Sequence, residues 1–378
     1  MVYYLMNKDT TIAELDCINN DGEIVFNGVN ILGNVPFWLR NLDIDTWISN
    51  RRAPSNRKYA NIMFSGTGIW DRQQYIDKTK AISLNDTLWV KRKNENITWN
   101  DINPYINPLN KIVSQLAFGC IVNTGNIGSP SPELSTGGSF AKCWKRVNGD
   151  ICMLKMGRNE WLGEYDNEPF SKYFTAQIAE RLGIKRHAEY RLGTSKGRTI
   201  TYSKLFTSEK IGLVTMAQVF GGFSATFKDA FNYIRRLGVA EELLFRQMMV
   251  LDSLTFNNDR HFNNFGLFVD NNTFDTIGMA SIYDNNIALL PTLILNSRSR
   301  QEILSDIKDV HPKYYESFYD LANESITDEI AQRLFGIASN DFKLEQDDRV
   351  KLDNKRLKFL EDFVRFNVMQ ILKSGVYL

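Results

Sequence analysis

The sequence predicts an α+β protein in which a strand-rich half is followed by a larger helical half, and three observations carry that expectation. First, 378 residues exceed one small core, which favours two or three lobes. Second, "FAKCWKRVNGDICMLKMG" (Phe140 to Gly157) alternates as two short strands around an Asn-Gly turn, and strand-like patterns continue to about Met216. Third, helical periodicity dominates from Asp229 onward, with Leu244, Met248 and Leu251 forming an apolar stripe.

Taken in order, residues 1 to about 110 mix short strand and helix patterns, with "DGEIVFNG" as a turn and strand and "APSN" as a breaker. "NTGNIGSPSPELSTGGS" (Asn123 to Ser139) concentrates Gly, Ser, Pro and Asn, as a linker or a working loop does. The hairpin follows, and its second strand carries Lys155. "DNEPFSKYFTAQIAERLG" predicts a helix that Asp166 or Asn167 can cap, with Pro169 in its first turn and Gly183 at its end. Phe170, Phe174, Ile178 and Leu182 share one face of it. The apolar stripe ending at Leu251 leads into the polar loop of "LTFNNDRHFNNFGLF" (Leu254 to Phe268). After the loop, "FGLFVD" and "TFDTIGMASIY" predict a hairpin turned by Asn271 and Asn272, with Asp284 at the end of its second strand. "RLKFLEDFVRFNVMQILKSG" closes the chain as an amphipathic helix.

Composition removes several function classes. Lysine plus arginine (45) balance aspartate plus glutamate (44), so no field of one sign draws the chain to nucleic acid or to an anionic membrane. Cys17, Cys120, Cys143 and Cys152 lack metal-ligand spacing, and three histidines cannot complete a zinc set. Reduced thiols and an N-terminus without a secretory pattern suit the cytoplasm. The longest charge-free run, Ile112 to Pro132, is interrupted by Asn, Gly, Pro and Ser, so no membrane span is expected.

Four features bear chemistry. Asp259 and Asn264 stand as D-x-x-x-x-N, the spacing with which a protein-kinase catalytic loop offers a carboxylate to an acceptor hydroxyl and an amide oxygen to Mg²⁺. A surface loop in which Asp259 pairs with Arg260 would show the same spacing. Asp284 falls where a second Mg²⁺-binding carboxylate belongs in that scheme, and is otherwise a solvated strand-end aspartate. "STGGSFAK" (Ser135 to Lys142) precedes the hairpin as a phosphate-covering loop would, with Gly137, Gly138, Ser139 and Lys142 as candidate nucleotide contacts. Lys155 sits among apolar residues, where an ammonium favours a nearby phosphate or carboxylate; an outward-facing strand lysine is the alternative. His261 suits a role in orienting the loop.

In these stretches, and in "SKLFTSE" and "ASIYDNNIALL", the sequence resembles the HipA-like serine/threonine kinases, bacterial proteins of the toxin and antitoxin type, from about Ser135 to Ala288. Weaker similarity lies upstream in "NRRAPSNR" and "SLNDTLWVK". The resemblance implies a bilobal kinase fold with an N-terminal subdomain over 1–118, a strand-rich nucleotide-binding lobe over 119–215 and a helical catalytic lobe over 216–378. It makes Asp259 the catalytic base, Asn264 and Asp284 the Mg²⁺ ligands, and Lys155 the lysine on the ATP phosphates. Leu205, Phe206 and Thr207, with Ser208, become the hinge beside adenine. Ser135 becomes an autophosphorylation site, with Thr136 and Ser139 as neighbouring alternatives. The implied activity is transfer of the γ-phosphoryl group of ATP to a serine or threonine of a protein substrate. The implied partner is an antitoxin protein, without direct contact of this chain to DNA.

One position departs from the family. A glutamate is expected on the helix after the lysine strand, where this chain has Lys172; such a lysine would repel Lys155, and Glu168 or Glu164 would have to substitute. A nucleotide-binding scaffold without strong catalysis, and a phosphotransferase with a small-molecule or RNA acceptor, are the two other readings.

Overall fold

The computed structural model describes residues 1–40, 43–120, 130–157, 167–221, 225–295 and 298–374. Asp166, Glu164 and the first part of the Asn123 to Ser139 segment lie outside them. The protein is α+β, and its contacts divide it into two compact units that are each discontinuous in sequence. One unit comprises 1–155, 204–224 and 266–277, and the other 156–203, 225–265 and 278–378.

The first unit opens with β1 (Val2–Asn7), β2 (Thr10–Asn20) and β3 (Glu23–Ile31), joined by β4 (Leu88–Arg92) in the order β3-β2-β1-β4. Asp21 and Gly22 take positive φ angles of 53° and 94° between β2 and β3, as a tight hairpin turn requires. The sheet closes over Met6, Ile82, Trp89, Trp99 and Ile102, all buried. The expected hairpin is present as β5 (Lys142–Val147) and β6 (Asp150–Met156), antiparallel, with Asn148 and Gly149 at φ 52° and 90°. Leu84, Trp144 and Ile151 form a second core beneath it.

In the second unit the helix Glu168–Arg181 forms as the sequence predicts, with Phe170, Phe174, Ile178 and Leu182 all buried. Gly183, at φ +75°, lets the chain leave the helix in the left-handed region. The cap differs from expectation: Asn167 occupies the N-cap position but does not cap with its side chain, whose Nδ2 donates to the carbonyl of Pro291 at 2.9 Å. The hairpin of β7 (Tyr190–Ser195) and β8 (Arg198–Lys204) follows.

β9 (Ile211–Thr215) pairs antiparallel with β10 (Gly266–Asp270), which is flanked on its other edge by β11 (Thr276–Met279). The β10–β11 connection is longer than the expected Asn271-Asn272 turn. Asp270 Oδ1 accepts from the backbone N–H groups of Asn272 (2.7 Å) and Thr273 (3.0 Å), which winds the chain into an Asx turn. Phe274 then buries its ring edge-on against Trp38. β11 stops at Met279, so Asp284 is not at its end as the sequence suggested.

The helix Val239–Thr255 buries Leu244, Met248 and Leu251 as expected, and the closing helix spans Asn354–Ser374. None of the described helices is long and apolar enough to cross a membrane.

Candidate functional site

The polar loop starts where the helix Val239–Thr255 ends. Phe256 terminates that helix in the left-handed region (φ +50°), a conformation that a bulky side chain adopts only when packing holds it. The packing is aromatic: its ring stacks on Phe318 at 4.3 Å and meets Phe363 edge-on at 5.0 Å. At the other end of the loop, Phe262 and Phe265 join Phe227, Phe245 and Tyr314. Two aromatic clusters therefore hold a polar segment between them.

Arg260 organises that segment, and it does so while buried (4% exposed). Its Nε and one terminal nitrogen donate to the two oxygens of Asp252 at 2.8 and 2.9 Å. The other terminal nitrogen donates to the carbonyls of Asn264 (2.7 Å) and Tyr283 (2.8 Å), and Asn285 Oδ1 takes the last N–H at 2.5 Å. All five guanidinium donors have acceptors. Burial works against the cation, yet Asp252 more than offsets it and holds the pKa above its ordinary value. Arg260 thus pairs with Asp252, not with Asp259 as the alternative reading of the loop supposed, and it ties that loop to the segment that carries Asp284.

Asp259 is left facing outward, its side chain 40% exposed. Asn264 is buried and donates its Nδ2 to the carbonyl of Asp259 at 2.8 Å, while its own N–H bonds the carbonyl of His261 at 2.7 Å. That use of the amide nitrogen fixes which atom of Asn264 remains as the acceptor: its Oδ1. His261 Nδ1 accepts from the N–H of Asn263 at 3.2 Å, which places the proton of a neutral ring on Nε2, 3.8 Å from Asp259. Burial pushes the His261 pKa below its ordinary value, against the opposing pull of Asp259 and Asp284. The ring is thus bonded to its own loop through Nδ1.

Asp284 follows a short parallel bridge between His187 and Ile282, where the N–H of Ile282 donates to the carbonyl of Arg186. It sits in the left-handed region (φ +57°), and its N–H donates to Tyr190 Oη at 3.2 Å. Lys172 Nζ lies 3.3 Å from Asp284 Oδ1 and 5.6 Å from the centroid of the Tyr190 ring. The Lys172 departure therefore has a definite partner, an acidic one. Glu168, its expected substitute, is buried and acts electrostatically on Arg356.

The other candidates lie in the first unit. Lys142 and Lys155 are register partners across β5 and β6, and both are buried (5% exposed). Like charges directly opposite one another weaken a hairpin, and an anion beside them reverses the sign. Lys142 Nζ donates to the carbonyl of Gly137 at 2.6 Å, and Lys155 Nζ stands 4.7 Å from the ring centroid of Phe140. Gly138 has φ +86°, a left-handed conformation that favours glycine, and a Cβ there would lie 2.5 Å from the mobile end of Lys142, its Nζ. Gly137 is exposed and Ser139 half-buried.

Ser135 is buried, and its Oγ is 2.9 Å from Tyr75 Oη. Thr136 Oγ1 donates to the carbonyl of Pro132 and accepts from Trp144 Nε1. In the candidate hinge, the Leu205 N–H donates to the carbonyl of Ile151, Thr207 Oγ1 bonds the carbonyl of Leu84, and Phe206 meets Phe268 edge-on.

Sequence reasoning missed the residue that holds the Gly-rich segment. Buried Arg57 donates to the carbonyls of Glu133 (2.9 Å) and Thr136 (3.2 Å) and also to that of Lys142. Burial lowers its pKa to about 10, against the opposing field of Glu133. Removing a buried donor that serves several carbonyls costs about 2–3 kcal/mol. Arg57→Ala is therefore expected to lower the unfolding temperature and to speed amide hydrogen exchange over 133–142. Unchanged exchange there would show that the clasp is not what orders the segment.

No family profile and no curated protein sequence matches the chain. Among solved structures it is similar to HipA of Shewanella oneidensis MR-1, determined with HipB and its operator DNA. The TM-score is 0.52 and the identity 13%, over 98% of this chain and 97% of that one. The chain has a HipA-like fold. It is also similar to the Helicobacter pylori proinflammatory kinase CtkA, with a TM-score of 0.46 and 18% identity over 62% of this chain and 94% of that one. With so few identities, the likeness to HipA is one of fold, and any role for a residue has to be argued from its own surroundings.

Proposed function

We propose that this HipA-like chain is an ATP- and Mg²⁺-dependent kinase that phosphorylates serine or threonine in a protein substrate. The observation that carries the proposal is the Arg260 network: this loop residue pairs with Asp252 and the Asn264 carbonyl, and two further hydrogen bonds, to the Tyr283 carbonyl and Asn285 Oδ1, tie the loop bearing Asp259 and Asn264 to the segment bearing Asp284. Phosphoryl transfer asks little covalent chemistry of a protein and much positioning, which such a network supplies.

Asp259, half exposed, accepts the proton of the incoming hydroxyl, and His261 holds its loop. Asn264 Oδ1 and the Asp284 carboxylate are hard oxygen donors on anchored backbone, a set that fits Mg²⁺. When bound, Mg²⁺ neutralises charge that develops on the transferred group. Lys155 and Lys142 provide positive charge for the nucleotide phosphates, beside backbone N–H groups at Gly137, Gly138 and Ser139. Leu205, Phe206 and Thr207 form the adenine hinge. Residues 1–118 serve as the N-terminal subdomain, 119–215 as the nucleotide-binding lobe and 216–378 as the catalytic lobe. Ser135 is the autophosphorylation site, and its burial against Tyr75 means that the segment must leave its seat before or on modification. A cytoplasmic location and an antitoxin partner complete the reading; the similar HipA structure contains HipB.

The test is incubation of the purified chain with γ-labelled ATP, with and without excess EDTA, followed by mass spectrometry. Mg²⁺-dependent label on the chain, mapped to 135–139, is expected. A chain that neither binds nor consumes ATP would end the proposal. Binding without transfer would favour the scaffold reading.

A further inference from the structure

The edge of the first unit's four-stranded sheet carries an inference that does not depend on phosphoryl transfer. We propose that β3 is a docking strand over 29–31, where it pairs with an extended segment of a partner protein that alternates apolar residues with lysine or arginine.

β3 is the outer strand of the order β3-β2-β1-β4, so one of its sides borders no other strand of that sheet. The register sets which groups point that way. Leu32 donates its N–H to the carbonyl of Ile12 at 3.0 Å, which makes 12 and 32 a hydrogen-bonded pair. By alternation, Ala13 with Ile31 and Leu15 with Val29 are pairs of the other kind, and the N–H and C=O groups of Val29 and Ile31 face the outer side. Nearer the hairpin turn that side is closed by side chains: Phe26 donates its N–H to Asp45 Oδ1 at 2.9 Å, and the carbonyl of Ile24 accepts from Arg72 at 2.8 Å. The register shift opposite Asp16 and Cys17 leaves Asn27 as an extra residue between the two stretches. Natural sheet edges are blunted by charge, proline or a covering element, and residues 29–31 hold neither charge nor proline.

The two faces of the strand define what the guest carries. Val29 and Ile31 share the face of Leu15 and Ala13, which are buried, yet they are themselves 51% and 63% exposed, with Leu32 beside them at 54%. Apolar side chains on an added strand would cover them. On the opposite face the exposed Asp16 stands across from Gly28, and its carboxylate lies over the glycine: a Cβ built there would be 3.2 Å from Asp16 Oδ2. Glu14, across from Asn30, is the next acid on that face and accepts from Lys93 Nζ at 2.8 Å. Guest residues beside 28 and 30 thus approach carboxylates, and lysine or arginine fits them. A second copy of β3 would bring the same carboxylates together instead, which disfavours self-pairing.

The experiment uses the full chain and a fluorescent heptapeptide of alternating lysine and valine, capped at both ends, with fluorescence anisotropy and amide hydrogen exchange as readouts. Saturable binding that slows exchange over 27–33 and weakens with salt is expected. Val29→Pro removes an N–H that faces the outer side and spares the ladder to β2, so it should fold and bind the peptide about tenfold more weakly. Asp16→Asn should weaken binding about threefold at low salt and lessen its salt dependence. Ile31→Lys, which puts a cation on the edge, takes the place of Val29→Pro if that variant does not fold. Absence of binding to the wild type, equal binding by the edge variant, or protection only outside 27–33 overturns the proposal. A glutamate-valine peptide that binds as tightly as the lysine-valine one overturns the assigned occupant. Wild-type dimers in sedimentation that the edge variant abolishes would give the strand to a second copy, and the proposal would fall with them.

Discussion

Asp284→Asn and Asp259→Asn are each expected to reduce phosphoryl transfer by about 10³-fold or more while leaving the chain folded. The two losses should differ in kind. Asp259 has a half-exposed side chain, so its amide variant should unfold within about 0.5 kcal/mol of the wild type and still bind ATP with Mg²⁺. Its loss falls on turnover. Asp284 is assigned to the metal, and its variant should lose Mg²⁺ affinity as well as turnover, which makes it at least as damaging. The check is label transfer at saturating nucleotide beside a calorimetric Mg²⁺ titration and a melting curve for each variant. Full activity in either one refutes its assignment, and a large drop in melting temperature for Asp259→Asn would mean that the residue is structural.

How much of this was readable beforehand depended on the range of the interaction. The β5–β6 hairpin was legible because Asn148-Gly149 accepts positive φ at both positions, a property of two adjacent residues. The helix Glu168–Arg181 was legible from a four-residue apolar period and a proline at its start. The candidate loop was legible as a spacing, Asp259 to Asn264, although the spacing alone left the partner of Arg260 open. What settled that partner was a turn of the preceding helix: Asp252 lies on the buried side of its last turn, with Asn257 Nδ2 donating to it at 2.8 Å. An aspartate inside an apolar helix stripe, eight residues before an arginine, was the available signal. Nothing comparable announced Arg57, whose acceptors lie 76 to 85 residues away. The Lys172 contact likewise depends on the fold bringing Asp284 beside the helix, so the sequence offered only an unexpected charge. The β10–β11 connection was misjudged because "NN" matched a two-residue turn, whereas the carboxylate of Asp270 and the burial of Phe274 selected a longer one.

The second large effect concerns Arg260 and Asp252, a buried pair with side chains 5% and 1% exposed. Removing one member leaves the other charged and without its counter-ion, which costs about 3–5 kcal/mol. Arg260→Met should cost that much, and it should also uncouple the loop from the 283–285 segment, because the carbonyls of Asn264 and Tyr283 lose their donor. Arg260→Lys keeps the charge but has only three donors and no planar fork, so it cannot serve the five acceptors. It is expected to recover part of the stability and little of the transfer activity, which separates the electrostatic contribution of Arg260 from its geometric one. The double variant Arg260→Met, Asp252→Leu removes both charges and should be less destabilised than the sum of the single changes by more than about 1 kcal/mol. Urea unfolding of the wild type, Arg260→Met, Arg260→Lys, Asp252→Leu and the double variant, alongside label transfer, gives the answer. If Arg260→Lys transfers phosphate as well as the wild type, the fork does not position the site, and the network is only a means of closing the fold.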